Sequence, residues 1–110
     1  RLSMKMEQFL TDLARSIGHK DYQISGDTLI LTYPFKNQGT RHCINRKEIY
    51  IHPVPDHKHQ IDIEEIWVGF DSDGVPWSDH MGGLYVDCTG MNVKTAISAI
   101  TKKVFAKLAE

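Results

Sequence analysis

The chain has 110 residues, of which 41% are hydrophobic and 25% charged, and its formal net charge is −1. These values are typical of a globular domain, and the near-neutral charge argues against a nucleic-acid partner, which needs a basic surface. The length predicts a single domain over residues 1–110, because a second core would not fit. No apolar run reaches the roughly 20 residues of a membrane-spanning helix, so we expect no membrane segment.

The two ends of the chain have the periodicity of amphipathic helices. Apolar residues between positions 3 and 17 fall on one helical stripe, with Ser3 as the expected N-cap and Gly18 just past the end. Residues 92–109 repeat the pattern, with Asn92 as the expected N-cap. Each stripe must be buried, so both helices are expected to pack against a second layer.

Between the helices the hydrophobic period changes to two, which predicts β-strands. Gly26–Asp27 predicts a tight hairpin turn, and residues 36–40 (KNQGT) predict another turn. The next segment reads as one strand interrupted near Asn45, or as two strands. We therefore predict an α+β fold, an antiparallel sheet of four to six strands with the N- and C-terminal helices packed on one face. This architecture resembles small domains of secretion chaperones and inhibitors, a likeness of architecture alone.

Two loops are expected near the C-terminal end of the sheet. Residues 71–74 (DSDG) begin like a calcium loop, but its twelfth position is Gly82 where glutamate is required, so we predict a β-turn. Residues 76–83 (PWSDHMGG) read as a polar loop. Its consecutive Ser78, Asp79 and His80 cannot form a catalytic triad through local geometry.

Alternation sorts the strand residues into two faces. The face expected to meet the helices is almost wholly apolar and comprises Leu29, Leu31, Tyr33, Ile49, Ile51, Ile66, Val68, Phe70, Leu84, Val86 and Cys88. The second face is mixed and comprises Ile30, Thr32, Tyr50, His52, Val54, Trp67, Tyr85 and Asp87. Aromatic residues with polar tips favour contact surfaces, so we expect the second face to bind a partner or a second copy of the chain.

The acidic residues are concentrated in one part of the chain. Residues 56–87 hold eight acids and one lysine, whereas residues 1–50 hold eight basic and five acidic residues. An acidic surface can raise the rate at which a basic protein is captured. The residues predicted to dock on such a partner are the acids Asp62, Glu64, Asp71 and Asp73 and the aromatics Trp67, Tyr50 and Tyr85, with Trp67 as the apolar anchor.

The histidines near position 55 raise an alternative. Zinc accepts imidazole and carboxylate ligands, and this segment offers His52, Asp56, His57 and His59. No complete zinc-binding spacing is present, and the neighbouring prolines are typical of a turn, so we expect His57 and His59 to be exposed and to hold no metal.

Two classes of function remain. We favour a non-enzymatic protein-binding module without a cofactor, such as an inhibitor, an immunity-type partner or a chaperone. The alternative is a small metal-dependent enzyme or a metal-binding protein that uses the histidines. The two cysteines, Cys43 and Cys88, are expected to be reduced and buried, as in a cytoplasmic protein.

Overall fold

A computed structural model describes residues 2–34 and 43–109, with side chains from 5–34 and 46–109. The described residues form two helices and five strands. The helices are α1 (Leu2–Ile17) and α2 (Val93–Leu108). The strands are β1 (Tyr22–Ser25), β2 (Thr28–Pro34), β3 (Cys43–Val54), β4 (His57–Phe70) and β5 (Pro76–Asp87). The strands pair antiparallel in chain order, so the predicted α+β fold is confirmed.

The helix ends follow local sequence signals. The Asn92 side chain accepts a hydrogen bond from the backbone N–H of Thr95 at 2.8 Å, as expected of an N-cap. Gly18 has a φ of 79° and donates its N–H to the carbonyl of Ala14 at 2.9 Å, which ends α1. Helix α1 begins at Leu2, so Ser3 lies inside the helix and not at the predicted cap.

Both helices pack on the same face of the sheet, which we call the helix face. Their stripes meet a buried apolar layer on one face of the sheet. The layer includes Leu10 and Leu13 from α1, Ile100 and Val104 from α2, and Leu29, Leu31, Ile49, Ile51, Ile61, Ile63 and Val86 from the sheet. Burial of this apolar area is the main stabilising contribution to the fold.

The sheet is longer than the helices that cover it. Strand β4 has 14 residues, which at roughly 3.3 Å per residue spans about 45 Å, whereas each 16-residue helix spans about 24 Å. Consistent with this, the molecule measures 48 × 27 × 26 Å. Among the described residues, the core takes only Ile61 and Ile63 from β4, so the far half of the β4–β5 hairpin extends beyond the core.

Strand β4 alternates regularly from Gln60 to Phe70, and the two strands beside it, β3 and β5, each contain one bulge along this stretch. In β3 the register shifts between Ile44 and Arg46, so one strand is interrupted at Asn45, one of the two predicted arrangements. In β5 the register shifts opposite Glu65 and Ile66, because Met81 is an extra residue. A bulge of this kind reverses the faces of the residues beyond it.

The predicted faces are correct for β2, β3 and the end of β5, but the prediction is wrong for β4. Ile66 and Val68 lie on the face away from the helices, with Phe70, and the inward positions belong to Ile61 and Ile63. Trp67 has the same parity as Ile63, so it lies on the helix face and not on the second face. Regular alternation through Glu65 causes this exchange, since no bulge in β4 lies between Ile61 and Phe70 to reset the pattern.

The remaining local predictions divide into three groups. The Gly26–Asp27 hairpin and the β-turn after Asp71 are confirmed. Residues 76–83, expected as a loop, instead form most of the edge strand β5. The turn predicted at residues 36–40 and the side chain of Cys43 lie outside the described residues; Cys88 is a free, buried thiol.

Candidate functional site

The face of the sheet opposite the helices, which we call the open face, has no described helix packed on it. Its side chains come from β2 to β5 and are mixed in character. They include Thr28, Ile30, Thr32, Arg46, Glu48, Tyr50, His52, Gln60, Asp62, Glu64, Ile66, Val68, Phe70, His80, Tyr85 and Asp87. Antiparallel sheets commonly expose one face to solvent, so its exposure alone indicates no function.

Three side chains from the neighbouring strands β3, β4 and β5 meet on the open face, and we call them the histidine–glutamate bridge. His52 Nε2 in β3 lies 2.6 Å from Glu64 Oε2 in β4. His80 Nε2 in β5 lies 2.9 Å from Glu64 Oε1. One carboxylate therefore accepts hydrogen bonds from both imidazoles, one on each oxygen, and ties the edge strand β5 to the two central strands.

The bulge at Met81 brings His80 into this bridge. Gly82 pairs with Glu65 and has helix-face parity, so without an extra residue His80 would share that face. Because Met81 is inserted, His80 pairs with Ile66 and lies on the open face beside Glu64. Bulges next to functional sites commonly redirect side chains in this way.

Protonation couples the members of the bridge. The hydrogen bond from His52 is the largest cause that lowers the pKa of Glu64, and His80 adds to it, so the carboxyl group stays ionised. Burial alone would lower the pKa of His52, but its bonds to Glu64 and the Pro53 carbonyl, with the charges of Glu64 and Asp62, outweigh burial and raise it. His52 is therefore held as imidazolium to a higher pH than usual.

Further polar and aromatic groups surround the bridge. Glu48 accepts hydrogen bonds from the Tyr50 hydroxyl at 3.1 Å and from Arg46 Nε at 3.2 Å. Tyr85 lies opposite Asp62 and is 60% exposed.

A shallow depression lies beside Tyr85 and is lined by Gln60, Asp62, Glu64, Gly83, Leu84 and Tyr85. Gly83 leaves it open, and a Cβ atom there would approach the Ile63 carbonyl oxygen to 3.1 Å. The depression thus combines two carboxylates with an exposed aromatic ring.

A second charged cluster lies on the helix face, and we call it the lysine–glutamate cluster. Glu65 is buried, and its carboxylate lies 3.6 Å from Lys47 Nζ and 3.5 Å from Lys107 Nζ. Trp67 Nε1 donates to the same carboxylate at 2.7 Å. Because Lys107 belongs to the last turn of α2, the cluster joins the end of this helix to β3 and β4.

The predicted partner-binding residues do not form one compact surface. Tyr50, Asp62, Glu64 and Tyr85 lie together on the open face, whereas Trp67 lies on the opposite face. Asp71 and Asp73 lie in the β4–β5 turn, seven or more residues from Glu64, which corresponds to more than about 20 Å along the strand.

Asp71 also has a role within the turn itself. Its carboxylate accepts the backbone N–H groups of Asp73 and Val75, each at 2.9 Å. These bonds stabilise the β-turn and account for the acid at this position.

The residues of the alternative metal set are also separated. His57 and His59 are exposed at the start of β4, as expected, and Asp56 is in the turn before them. His52 is instead directed towards Glu64. Among the side chains of residues 5–34 and 46–109, no group of three or more histidine, cysteine or acidic residues is arranged to hold a metal ion.

Sequence reasoning missed His80 in the bridge and Lys47, Glu65 and Lys107 in the second cluster. The sequence pattern predicts a loop at His80, and only the bulge at Met81 determines its face. A signal for Glu65 was present, since regular alternation from Ile61 and Ile63 places it on the buried face.

No helix in the described part of the chain is long and apolar enough to cross a membrane. Comparison with protein-family models, with curated proteins and with solved structures found no match for this chain.

Proposed function

We propose that this protein is a non-enzymatic protein-binding module that docks a basic protein partner on the open face of its sheet. The observation that carries the proposal is the depression beside the histidine–glutamate bridge, where Asp62 and Glu64 lie next to the exposed ring of Tyr85. An inhibitor, an immunity-type partner or a chaperone would use such a surface.

The charges of the open face support a basic partner. Glu48, Asp62, Glu64 and Asp87 contribute four carboxylates, and Arg46 is the one arginine or lysine that the described sheet places among them. Carboxylates of this density raise the encounter rate with a cationic surface, an effect that salt screens.

The aromatic residues of the face support a role in retaining the partner. Tyr85 offers a large exposed ring, and Tyr50 lies half-buried in the adjoining part of the face. Aromatic rings attract cationic side chains and often carry much of the binding energy at an interface. Tyr85 is therefore the proposed anchor, in place of Trp67, which lies on the helix face and donates its indole N–H to Glu65.

Site-specific photo-crosslinking tests which surface docks. A photoreactive amino acid replaces Tyr85 on the open face or Phe105 on α2, which are 60% and 50% exposed. The proposal expects a protein to crosslink from position 85 and not from position 105. Equal crosslinking from both positions would count against the open face.

Binding kinetics with the crosslinked protein then test the chemistry. Asp62→Arg is expected to slow association at low salt, and Asp73→Arg, at the distant turn, is the control. Tyr85→Ala is expected to speed dissociation and weaken binding by about 2 kcal/mol. Association by a folded Asp62→Arg variant at the wild-type rate would rule out this docking surface.

We further propose that the protein acts in the cytoplasm. The support is the free thiol of Cys88, since a reducing compartment preserves thiols. Redox-state labelling of Cys88 in intact cells tests it, and an oxidised Cys88 would argue for another compartment.

A further inference from the structure

We propose that docking on the open face is proton-gated, because the proton carried by His52 opposes a cationic partner and its loss at higher pH strengthens docking. This inference rests on the proposed function and adds the regulation of the same surface.

The geometry gives His52 two acceptors. Its Nδ1 lies 3.0 Å from the carbonyl oxygen of Pro53, and its Nε2 lies 2.6 Å from Glu64 Oε2. A carbonyl and a carboxylate can only accept, so both contacts are hydrogen bonds only when both ring nitrogens carry protons. Loss of one proton must therefore remove one of the two bonds.

The neighbours of His52 on the open face come from every adjoining strand. From β4, Asp62 lies directly opposite His52, and Glu64 is its hydrogen-bonding partner. From β5, His80 reaches Glu64, and Tyr85 lies beside Asp62. The other ionisable groups of the open face are Asp87 at the end of β5 and, on β3 itself, Arg46, Glu48 and Tyr50; the open-face residues that β2 contributes are uncharged: Thr28, Ile30, Thr32 and Pro34.

The imidazolium is thus placed among carboxylates that a cationic partner would use. While His52 is protonated, it partly neutralises the depression lined by Asp62 and Glu64. When the proton leaves, His52 loses its positive charge, and the net charge beside the depression becomes more negative by one unit. The pKa of His52 is raised above its ordinary value of 6.5, so this change occurs at a higher pH than for an ordinary histidine.

The same proton affects the fold with the opposite sign. A histidine whose folded-state pKa is raised contributes stability that is fully present below its unfolded pKa and is lost as the pH rises through the folded pKa. As the pH rises through the folded-state pKa of His52, the protein is therefore expected to bind a cationic partner more tightly and to lose the contribution of His52 to its stability.

Peptide titrations test the inference. The probe is a short arginine-rich peptide, and its matched control carries citrulline, which keeps the shape of arginine without its charge. At low salt the arginine peptide is expected to bind the wild-type protein about three- to tenfold more tightly at pH 8.5 than at pH 5.5, as one added charge predicts. The citrulline peptide is expected to show no such dependence.

Two variants assign the effect. His52→Gln is expected to abolish the pH dependence, whereas His57→Gln, at an exposed position of the β3–β4 turn, is expected to retain it. Retained pH dependence in His52→Gln, or equal affinity of the wild-type protein at both pH values, overturns the proton gate and leaves the proposed function standing. Failure of the arginine peptide to bind at either pH overturns both.

A measurement on the unmodified protein guards against a variant that does not fold. Saturation with the arginine peptide must lower the pKa of His52 in an NMR titration, because coupling between proton and ligand is reciprocal. A pKa of His52 that does not change on saturation overturns the proton gate without any mutation.

Discussion

The two faces of strand β4 each carry a glutamate, and the two glutamates have different partners. Glu64 and Glu65 are neighbours in sequence and point to opposite faces of the sheet. The Glu64 side chain is 35% exposed and lies between two histidines, whereas the Glu65 side chain is 11% exposed and lies between two lysines. The contacts of His52 with Glu64 raise the pKa of its imidazole, so the charge beside Glu64 depends on pH.

This difference separates two tasks. The lysine–glutamate cluster joins the end of α2 to β3 and β4 through two ion pairs on one carboxylate. In the histidine–glutamate bridge, gain or loss of the proton on His52 changes the net charge of the open face by one unit. Alternation along one strand thus places a carboxylate paired with histidines and a carboxylate paired with lysines on opposite faces of the sheet.

The largest expected effect tests the assignment of the two faces. Ile63 is fully buried in the core, so Ile63→Ala is expected to lower the free energy of unfolding by about 2–5 kcal/mol. Ile66→Ala, on the open face of the same strand, is expected to cost about 1 kcal/mol or less. Urea unfolding measures both, and equal losses would show that the faces are assigned wrongly.

The next effect compares the two acids directly. Glu65→Gln leaves Lys47 and Lys107 near each other without the carboxylate between them, and a loss of about 1–3 kcal/mol is expected. Glu64→Gln at pH 8.5 is expected to cost less than about 1 kcal/mol, because its surroundings are more exposed. Urea unfolding at pH 8.5 measures both variants. If Glu65→Gln leaves the free energy of unfolding unchanged, the cluster contributes nothing to the stability of the fold.

A smaller effect concerns Trp67. Trp67→Phe removes the indole N–H that Glu65 accepts at 2.7 Å, and a loss of about 1 kcal/mol in unfolding free energy is expected. Docking on the open face should not change, whereas Tyr85→Ala should weaken docking without lowering stability. Faster dissociation of a partner from Trp67→Phe would restore this residue as a docking anchor.

The smallest effect is a pH dependence of stability. The raised pKa of His52 means that its contribution is present below the unfolded pKa of about 6.5 and is lost as the pH rises through the folded value. The free energy of unfolding of the wild-type protein should therefore exceed that of His52→Gln by more at pH 5.5 than at pH 8.5. An equal difference at the two pH values would show that the bridge does not raise the pKa of His52, and a larger difference at pH 8.5 would show that it lowers it.

Part of the candidate site could be predicted from the sequence. Strict alternation in β3 placed Tyr50 and His52 together on the second face, and the end of β5 placed Tyr85 there. The pattern in β4 was ambiguous, because Ile61 and Ile63 favour one parity whereas Ile66 and Val68 favour the other. The structure follows the first pair, which buries Glu65.

The sequence by itself determined the elements that depend on neighbouring residues. Asn92 caps α2, Gly18 ends α1, and Gly26–Asp27 forms the first hairpin, since caps and tight turns depend on the conformational preferences of a few consecutive residues.

Only the tertiary structure decided which side chains share a face beyond the bulge at Met81 and which charges meet. Glu64 and His80 are 16 residues apart, and Glu65 meets a lysine from α2 that is distant in sequence. The register of three strands sets these contacts, and a shift of one residue in that register moves every later side chain to the opposite face.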